Sequence, residues 1–290
     1  MRNFYFKPLV LLVSTLASFG VLNAQAGDRL LATGGVSQIE GAGGGGLTPW
    51  ALIAGYGTDA QIGGSAFFTS AKTSDDFELN TGGVAVGFYN RVELSVSQTK
   101  FELGSTVPKA SIRLNTLGVK LRLFGDAIYD QDSWVPQVAV GAMVKHNEDF
   151  NAVPSLIGAK RSTGVDYYLA ASKLYLDALF GRNIILGSTL IATKANQFGL
   201  LGFGGDARDD YQIKPSYSAA IMLSDNLLLG MEYRYKPDNL SAFNENDAKD
   251  IFVTWFPHKR LSITAAAVDL GDVADKSNQN AWYLSGQLSY

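Results

Sequence analysis

The stretch Asn226–Lys236, NLLLGMEYRYK, decides the fold. In an extended chain Leu227, Leu229, Met231, Tyr233 and Tyr235 fall on one side, and Leu228, Gly230, Glu232, Arg234 and Lys236 on the other. One side is wholly apolar or aromatic; the other becomes charged. Immediately upstream, YQIKPSYSAAIML at 211–223 alternates in the same way. Tyr211, Ile213, Pro215, Tyr217, Ala219 and Ile221 oppose Gln212, Lys214, Ser216, Ser218 and Ala220. The link Ser224-Asp225-Asn226 is built of turn-forming residues. Together these segments predict an antiparallel hairpin with one greasy and one polar face.

The plan recurs along the chain. Val92, Leu94 and Val96 oppose Arg91, Glu93 and Ser95, after a tight turn at Tyr89-Asn90. Leu117, Val119, Leu121 and Leu123 oppose Gly118, Lys120 and Arg122, and Val138, Val140, Ala142 and Val144 oppose Gln137, Gly141 and Lys145. Segments 164–177, 183–194 and 249–257 alternate poorly, and their phases stay unassigned. Short turns also fit at 57–60, around 181–182 and at 257–259. Longer polar links at about 70–77, 103–111, 146–164, 194–211, 237–249 and 270–281 carry most of the acids.

Short and long connections thus alternate, as in outer-membrane barrels with short periplasmic turns and long external loops. A soluble sandwich has no reason to alternate its loop lengths so regularly. The expectation is an all-β, transmembrane antiparallel barrel. Six hairpins, a first strand at about 29–38 and a final strand make about fourteen; twelve result if the first segment is not a strand.

The ends of the chain agree. Residues 1–26 read as a secretory signal peptide: Arg2 and Lys7, an uncharged apolar stretch, then Ala24-Gln25-Ala26, with cleavage expected after Ala26. The barrel then comprises 27–290. The last residues, AWYLSGQLSY, put Trp282, Leu284, Gly286, Leu288 and Tyr290 on one face. That pattern resembles the carboxy-terminal signal read by the barrel-assembly machinery, and it places the protein in the bacterial outer membrane, with its lipid as surroundings. Trp50 and Trp282 near outer strand ends, with Trp134, Trp255 and Tyr290 near periplasmic ones, are expected to form an aromatic girdle.

Composition excludes several classes. There is no cysteine, hence no disulfide framework and no thiolate metal site. Removing residues 1–26 takes away two of the 24 basic residues and none of the 27 acidic ones, leaving a net charge of −5. No basic excess points to nucleic acid, and no motif calls for a cofactor or metal.

Near the start of the mature chain lies IEGAGGGGLTPW, 39–50. A phosphate loop would need a following helix and Lys-Ser or Lys-Thr, and neither is present. Gly41, Gly43, Gly44, Gly45 and Gly46 instead permit close backbone approach, so this loop is expected either to constrict the pore from within or to be a flexible external connection. Residues 27–58, GDRLLATGGVSQIEGAGGGGLTPWALIAGYGT, with NRVELSVS at 90–97 and the terminal aromatic strand, resemble a domain-of-unknown-function family of proteobacterial outer-membrane barrels. That family is similar in design to hydrophobic-compound transporter barrels. The resemblance implies compartment and fold, and no activity.

Catalysis finds little support. His258 lies in an expected turn. His146 lies near the outer rim beside Glu148 and Asp149, with Asp75-Asp76 and Asp209-Asp210 on other loops, but no spacing defines a site. The lumen is more informative. Inward charges are expected at Glu93, Lys120, Arg122, Lys145, Lys214, Glu232, Arg234 and Lys236, six basic and two acidic. A net-positive wall predicts a passive channel for small, anionic solutes. The alternatives are a lumen filled by charges that pair with each other or with an inward loop, a structural barrel without conductance, or a transporter of hydrophobic compounds.

Overall fold

A computed structural model describes residues 27–290 apart from 38, 74–75, 105–106, 108–109, 274–275 and 277–278. The expected signal peptide and Asp75 lie outside the described residues. Twelve strands run in chain order: β1 Ile62–Thr73, β2 Glu78–Phe88, β3 Val92–Glu102, β4 Ser111–Phe124, β5 Gln137–Asn147 and β6 Thr163–Leu179. They continue with β7 Arg182–Thr193, β8 Gln212–Ser224, β9 Leu227–Arg234, β10 Ala248–His258, β11 Leu261–Asp269 and β12 Asn280–Ser289. Each pairs antiparallel with its sequence neighbour, and β1 closes on β12 with Ser65 opposite Ser289 and Thr73 opposite Ala281. Closure satisfies the backbone of every strand without water, which a bilayer-spanning sheet requires.

The side-chain alternation sets the two faces. Leu117 and Val119 on β4, Tyr217 on β8 and Met231 on β9 stand exposed on the outside, while Lys120, Ser216 and Glu232 from the same strands are buried inside. The three poorly alternating segments are also wall strands. Asp166, Tyr168, Ala170 and Ser172 of β6, Thr189 and Ile191 of β7, and Asp250, Phe252 and Thr254 of β10 are all buried. Their inward faces mix apolar and polar residues because the lumen they meet holds protein, so polarity alone does not mark the inner face.

The barrel has twelve strands, the alternative count in which the first segment is not a strand, and not fourteen. Residues 29–37 and the segment after the glycine run leave the wall and enter the lumen, where isolated bridges, Ser37 with Gly44 and Gly44 with Pro49, take the place of a ladder. The backbone explains why. Gly35 and Gly41 have φ of 90° and 96°, and Ala32 one of 64°, none of them compatible with a ladder strand. Residues 57–60, expected as a hairpin turn, instead carry the chain from lumen to β1.

Turns at one end are tight. Tyr89 and Asn90 both have positive φ, the primed geometry that matches strand twist, and Phe180-Gly181 repeats it. The exception is the β4–β5 link, 125–136, which runs beside the lower part of β6: the Leu174 amide donates to the Ala127 carbonyl at 2.8 Å. At the other end the links are long, save for the short 74–77.

Candidate functional site in the barrel lumen

Residues 27–61 form a plug inside the cylinder. Its Ala51, Leu52, Ile53 and Ala54 are almost wholly buried. A chain with little regular structure must find partners for its backbone, and the wall supplies them as charges. The Glu93 carboxylate accepts from the amides of Gly43 at 3.0 Å and Ala54 at 2.8 Å. Lys120 donates to the carbonyls of Gly43 at 2.8 Å and Leu52 at 2.9 Å, and meets Glu93 at 3.1 Å. The Glu93–Lys120 pair, facing across β3 and β4, thus clamps the plug at two carbonyls and two amides.

Glu232 makes the second clamp. It accepts from the Leu47 amide at 2.7 Å, the Trp50 indole at 3.1 Å and the Thr48 hydroxyl. The glycine run lies directly against it: a Cβ at Gly45 would stand 2.1 Å from the Glu232 carboxylate, so any side chain would expel this contact. Glu40, on the plug, makes the third. It pairs with Lys145 and Arg234, and Arg234 also donates to the Leu47 carbonyl at 2.8 Å. Burial opposes ionisation of Glu40, but Arg234 and Lys145 outweigh it and hold its carboxyl down at about 2. At the base, Arg29 donates to the carbonyls of Ile53 at 2.8 Å, Gly55 at 3.2 Å and Thr33.

A second element folds into the opposite end along part of the wall. The β7–β8 link turns inward through a short 3-10 turn at Asn196–Gly199 and buries Leu200, Leu201 and Phe203 against Phe77, Phe101, Ile112 and Leu114. Asn147 donates to the Leu200 carbonyl at 2.6 Å, and Glu245 accepts from the Gln197 amide at 2.7 Å. Burial pushes the Glu245 carboxyl up to about 7, opposed by the Lys236 ammonium 3.8 Å away. Plug and cap meet where the Phe198 ring stacks under the Arg234 guanidinium at 4.6 Å, while Arg234 holds Glu40.

The expected lumen charges therefore do not line an open pore. Glu93, Lys120, Lys145, Glu232 and Arg234 hold plug or cap, and Lys236 donates to Gln197 Oε1 at 3.1 Å and the Leu270 carbonyl at 2.8 Å. Arg122 turns to the β4–β5 link, donating to Gly125 O at 2.7 Å and Asp126 at 3.0 Å. Lys214 lies half-buried on the inward register of β8. Gly41 and Gly43–Gly46 are buried at the centre of the plug. Among the aromatic residues, Trp134, Trp255, Trp282 and Tyr290 are exposed, whereas Trp50 is 2% exposed and bonded to Glu232. Trp50 belongs to the plug and not to a lipid girdle, because the segment before β1 is not a wall strand.

Sequence reasoning missed Glu40, Asp166, Asp250 and Arg29. Asp166 pairs with Lys145, and Asp250 accepts from the Tyr283 hydroxyl at 3.2 Å. Both sit on strands whose alternation was too poor to phase. Glu40, an acid abutting a glycine run, was the visible hint of an internal anchor.

The rim residues considered for catalysis are not brought together. His146 faces outward on β5 with Thr163 Oγ1 at 2.7 Å, while Glu148 and Asp149 belong to Arg113 at 3.1 and 3.0 Å. Asp209 is held by Arg161 and Lys194, Asp76 by Lys72, and His258 lies at the β10–β11 turn end, accepting from the Arg260 amide at 3.2 Å. Among the described residues no group of histidines and acids has metal-binding geometry.

A closed antiparallel cylinder with a greasy exterior and a polar, charged interior defines an outer-membrane β-barrel of the porin-like class. Within it the chain belongs to the family "Protein of unknown function (DUF3034)", whose model matches residues 33–287. No curated protein matches it. Solved structures similar to it include the KdgM porin, at 9% identity over 78% of this chain and 99% of that one, TM-score 0.48. Another is the outer membrane protein Omp33 of Acinetobacter baumannii, at 10% identity over 80% and 100%, TM-score 0.47. A third is outer membrane phospholipase A of Escherichia coli, at 9% identity over 77% and 89%, TM-score 0.40.

Proposed function

We propose that the protein is an outer-membrane channel held shut by its own amino-terminal segment, which must shift for solute to pass. On this reading the carboxy-terminal strand engages the barrel-assembly machinery, and the chemistry is passage and not catalysis. The observation that carries the proposal is the mode of attachment. The plug joins no wall ladder; it is held by the Glu93–Lys120, Glu232 and Glu40 clamps, which can be exchanged for water and ions as the segment moves.

The small-anion preference becomes a property of the unplugged wall. Counting Asp166 and Asp250, the inward wall carries six basic residues (Lys120, Arg122, Lys145, Lys214, Arg234, Lys236) against four acidic ones (Glu93, Asp166, Glu232, Asp250). The excess is smaller than the sequence implied and has the same sign. Release of Glu40 with the plug would leave Arg234 facing solute, with Lys145 still paired to Asp166, and fixed charge there biases ion entry.

Single-channel recording in planar bilayers under a salt gradient tests this. The native protein is expected to be mostly closed with rare openings whose reversal potential favours anions. Glu232→Gln, which weakens one clamp, is expected to raise open probability about tenfold, the factor that about 1.4 kcal/mol represents. A steady open current from the native protein, or cation-selective openings, would contradict the proposal.

A further inference from the structure

The plug does not fill the lumen evenly. Against one side it is bonded throughout: Gln137 donates to the Ala51 carbonyl at 2.6 Å, Gln287 to Gly35 O at 3.2 Å, and Lys120 to Leu52 O at 2.9 Å. On the other side the plug meets Ser172, Thr189 and Glu232 deeper in, but near the tight-turn end a cavity of about 290 Å³ opens between it and β6–β9. The space opens toward the turns, and its size exceeds the water-sized voids that ordinary side-chain packing leaves.

Its walls differ from the rest of the lumen. The inward residues here are Leu174 of β6, Ile185 of β7, Met222 of β8 and Leu228 of β9, faced by Trp50 and Leu52 of the plug. These four wall residues continue faces that carry Asp166, Thr189, Ser216 and Glu232 deeper in, so the change of chemistry is local. It also accounts for the weak alternation of 183–194, where apolar residues occupy both faces. At the mouth the lining turns polar, with Asp177 near the end of β6, Arg182 and Asn183 at the start of β7 and Asp225 on the β8–β9 turn.

We infer that this chamber is a binding site for a small, uncharged apolar molecule entering from the turn end, its body against Trp50 and Leu228 and any hydroxyl at the mouth. Burial of apolar surface supplies the attraction. The volume admits about ten methylene-sized groups at the ~30 Å³ that a water occupies in the liquid. Two acids against one base make the mouth net negative, which disfavours a carboxylate, and the apolar interior would leave a charge carried into it unpartnered. Because Leu30–Thr33, Trp50 and Leu52 belong to the plug, an occupant would touch the element proposed to gate the pore. Binding itself does not depend on conduction: a plug that never moves leaves the chamber in place.

Trp50 provides the readout. Trp134→Phe, Trp255→Phe and Trp282→Phe together leave it as the single tryptophan of four. The full mature chain, refolded in detergent and checked by heat-modifiable mobility, is titrated with 10-bromodecan-1-ol, whose bromine quenches indole at contact. Saturable quenching is expected, at least tenfold weaker for 10-bromodecanoate. Ile185→Arg, which puts a guanidinium into the chamber at a half-buried position, is expected to abolish it. Quenching that grows linearly with detergent mole fraction, that persists in Ile185→Arg, or that is missing in the parent would overturn the site. A silent bilayer recording beside saturable quenching would sink the channel and spare the chamber.

Discussion

The plug and the cap enter the same cylinder from opposite ends and are held there by different physics. The plug, 27–61, is glycine-rich backbone tied to the wall by buried carboxylates and ammonium groups. The cap, 194–211, buries Leu200, Leu201 and Phe203 in an apolar cluster with Phe77, Phe101, Ile112 and Leu114. Apolar packing is non-directional and survives small displacements; a hydrogen-bonded buried charge holds at one geometry and loses heavily once a partner is withdrawn. The contrast points to the plug as the element that releases all at once, and to the cap as the element that stays seated.

The largest test of that contrast is Lys120→Met. It leaves Glu93 buried without its cation, and a loss of about 3–5 kcal/mol is expected, read as a lowered heat-modification midpoint. Adding Glu93→Gln should restore most of the loss, since the pair is then replaced as a whole. Phe203→Ala comes next: about 3 kcal/mol is expected to be lost from the cap, seen as faster proteolysis within 194–211 while the barrel keeps its gel mobility. Equal proteolysis of cap and wall would erase the distinction between them. Trp50→Phe removes one of three donors to Glu232 and is expected to weaken the plug by about 1.5 kcal/mol, raising openings and leaving the cap unchanged.

The smallest effect is in pH. Burial raises the Glu245 carboxyl to about 7 in the folded protein, above the ordinary carboxylate value of 4.5. Between those values the capped form binds the extra proton, so cap stability is fully present at about pH 4.5 and falls as pH rises to 7. Protection of the cap from protease should decline across that window, and Glu245→Gln should flatten the response. An equal response in the plug, whose Glu40 stays ionised down to about 2, would contradict the separation.

Much of the barrel was legible in sequence because a lipid-facing strand has a strict rule. The alternations at 92–96, 117–123, 138–144 and 211–235 reproduce the outward faces of β3, β4, β5, β8 and β9. The rule fails where side chains face protein. Asp166 and Asp250 escaped notice because β6 and β10 place Tyr168, Ala170 and Phe252 on the same inner face. The glycine run was ambiguous for the same reason: GAGGGG permits a wall approach or a free loop, and Glu93, Lys120 and Glu232, 50, 77 and 185 residues from their partners, decide between them. A site made by such long-range contacts leaves no local period to read.

The most direct test uses the absence of native cysteine. Ser172 Oγ lies 3.0 Å from the Ala51 amide, so Ala51→Cys with Ser172→Cys can staple plug to wall. Recorded in the same bilayer before and after reductant, the oxidised protein should show no openings, and reduction should restore the native rate. Openings of equal frequency in the two states would mean that solute passes without the plug, or that the plug governs nothing.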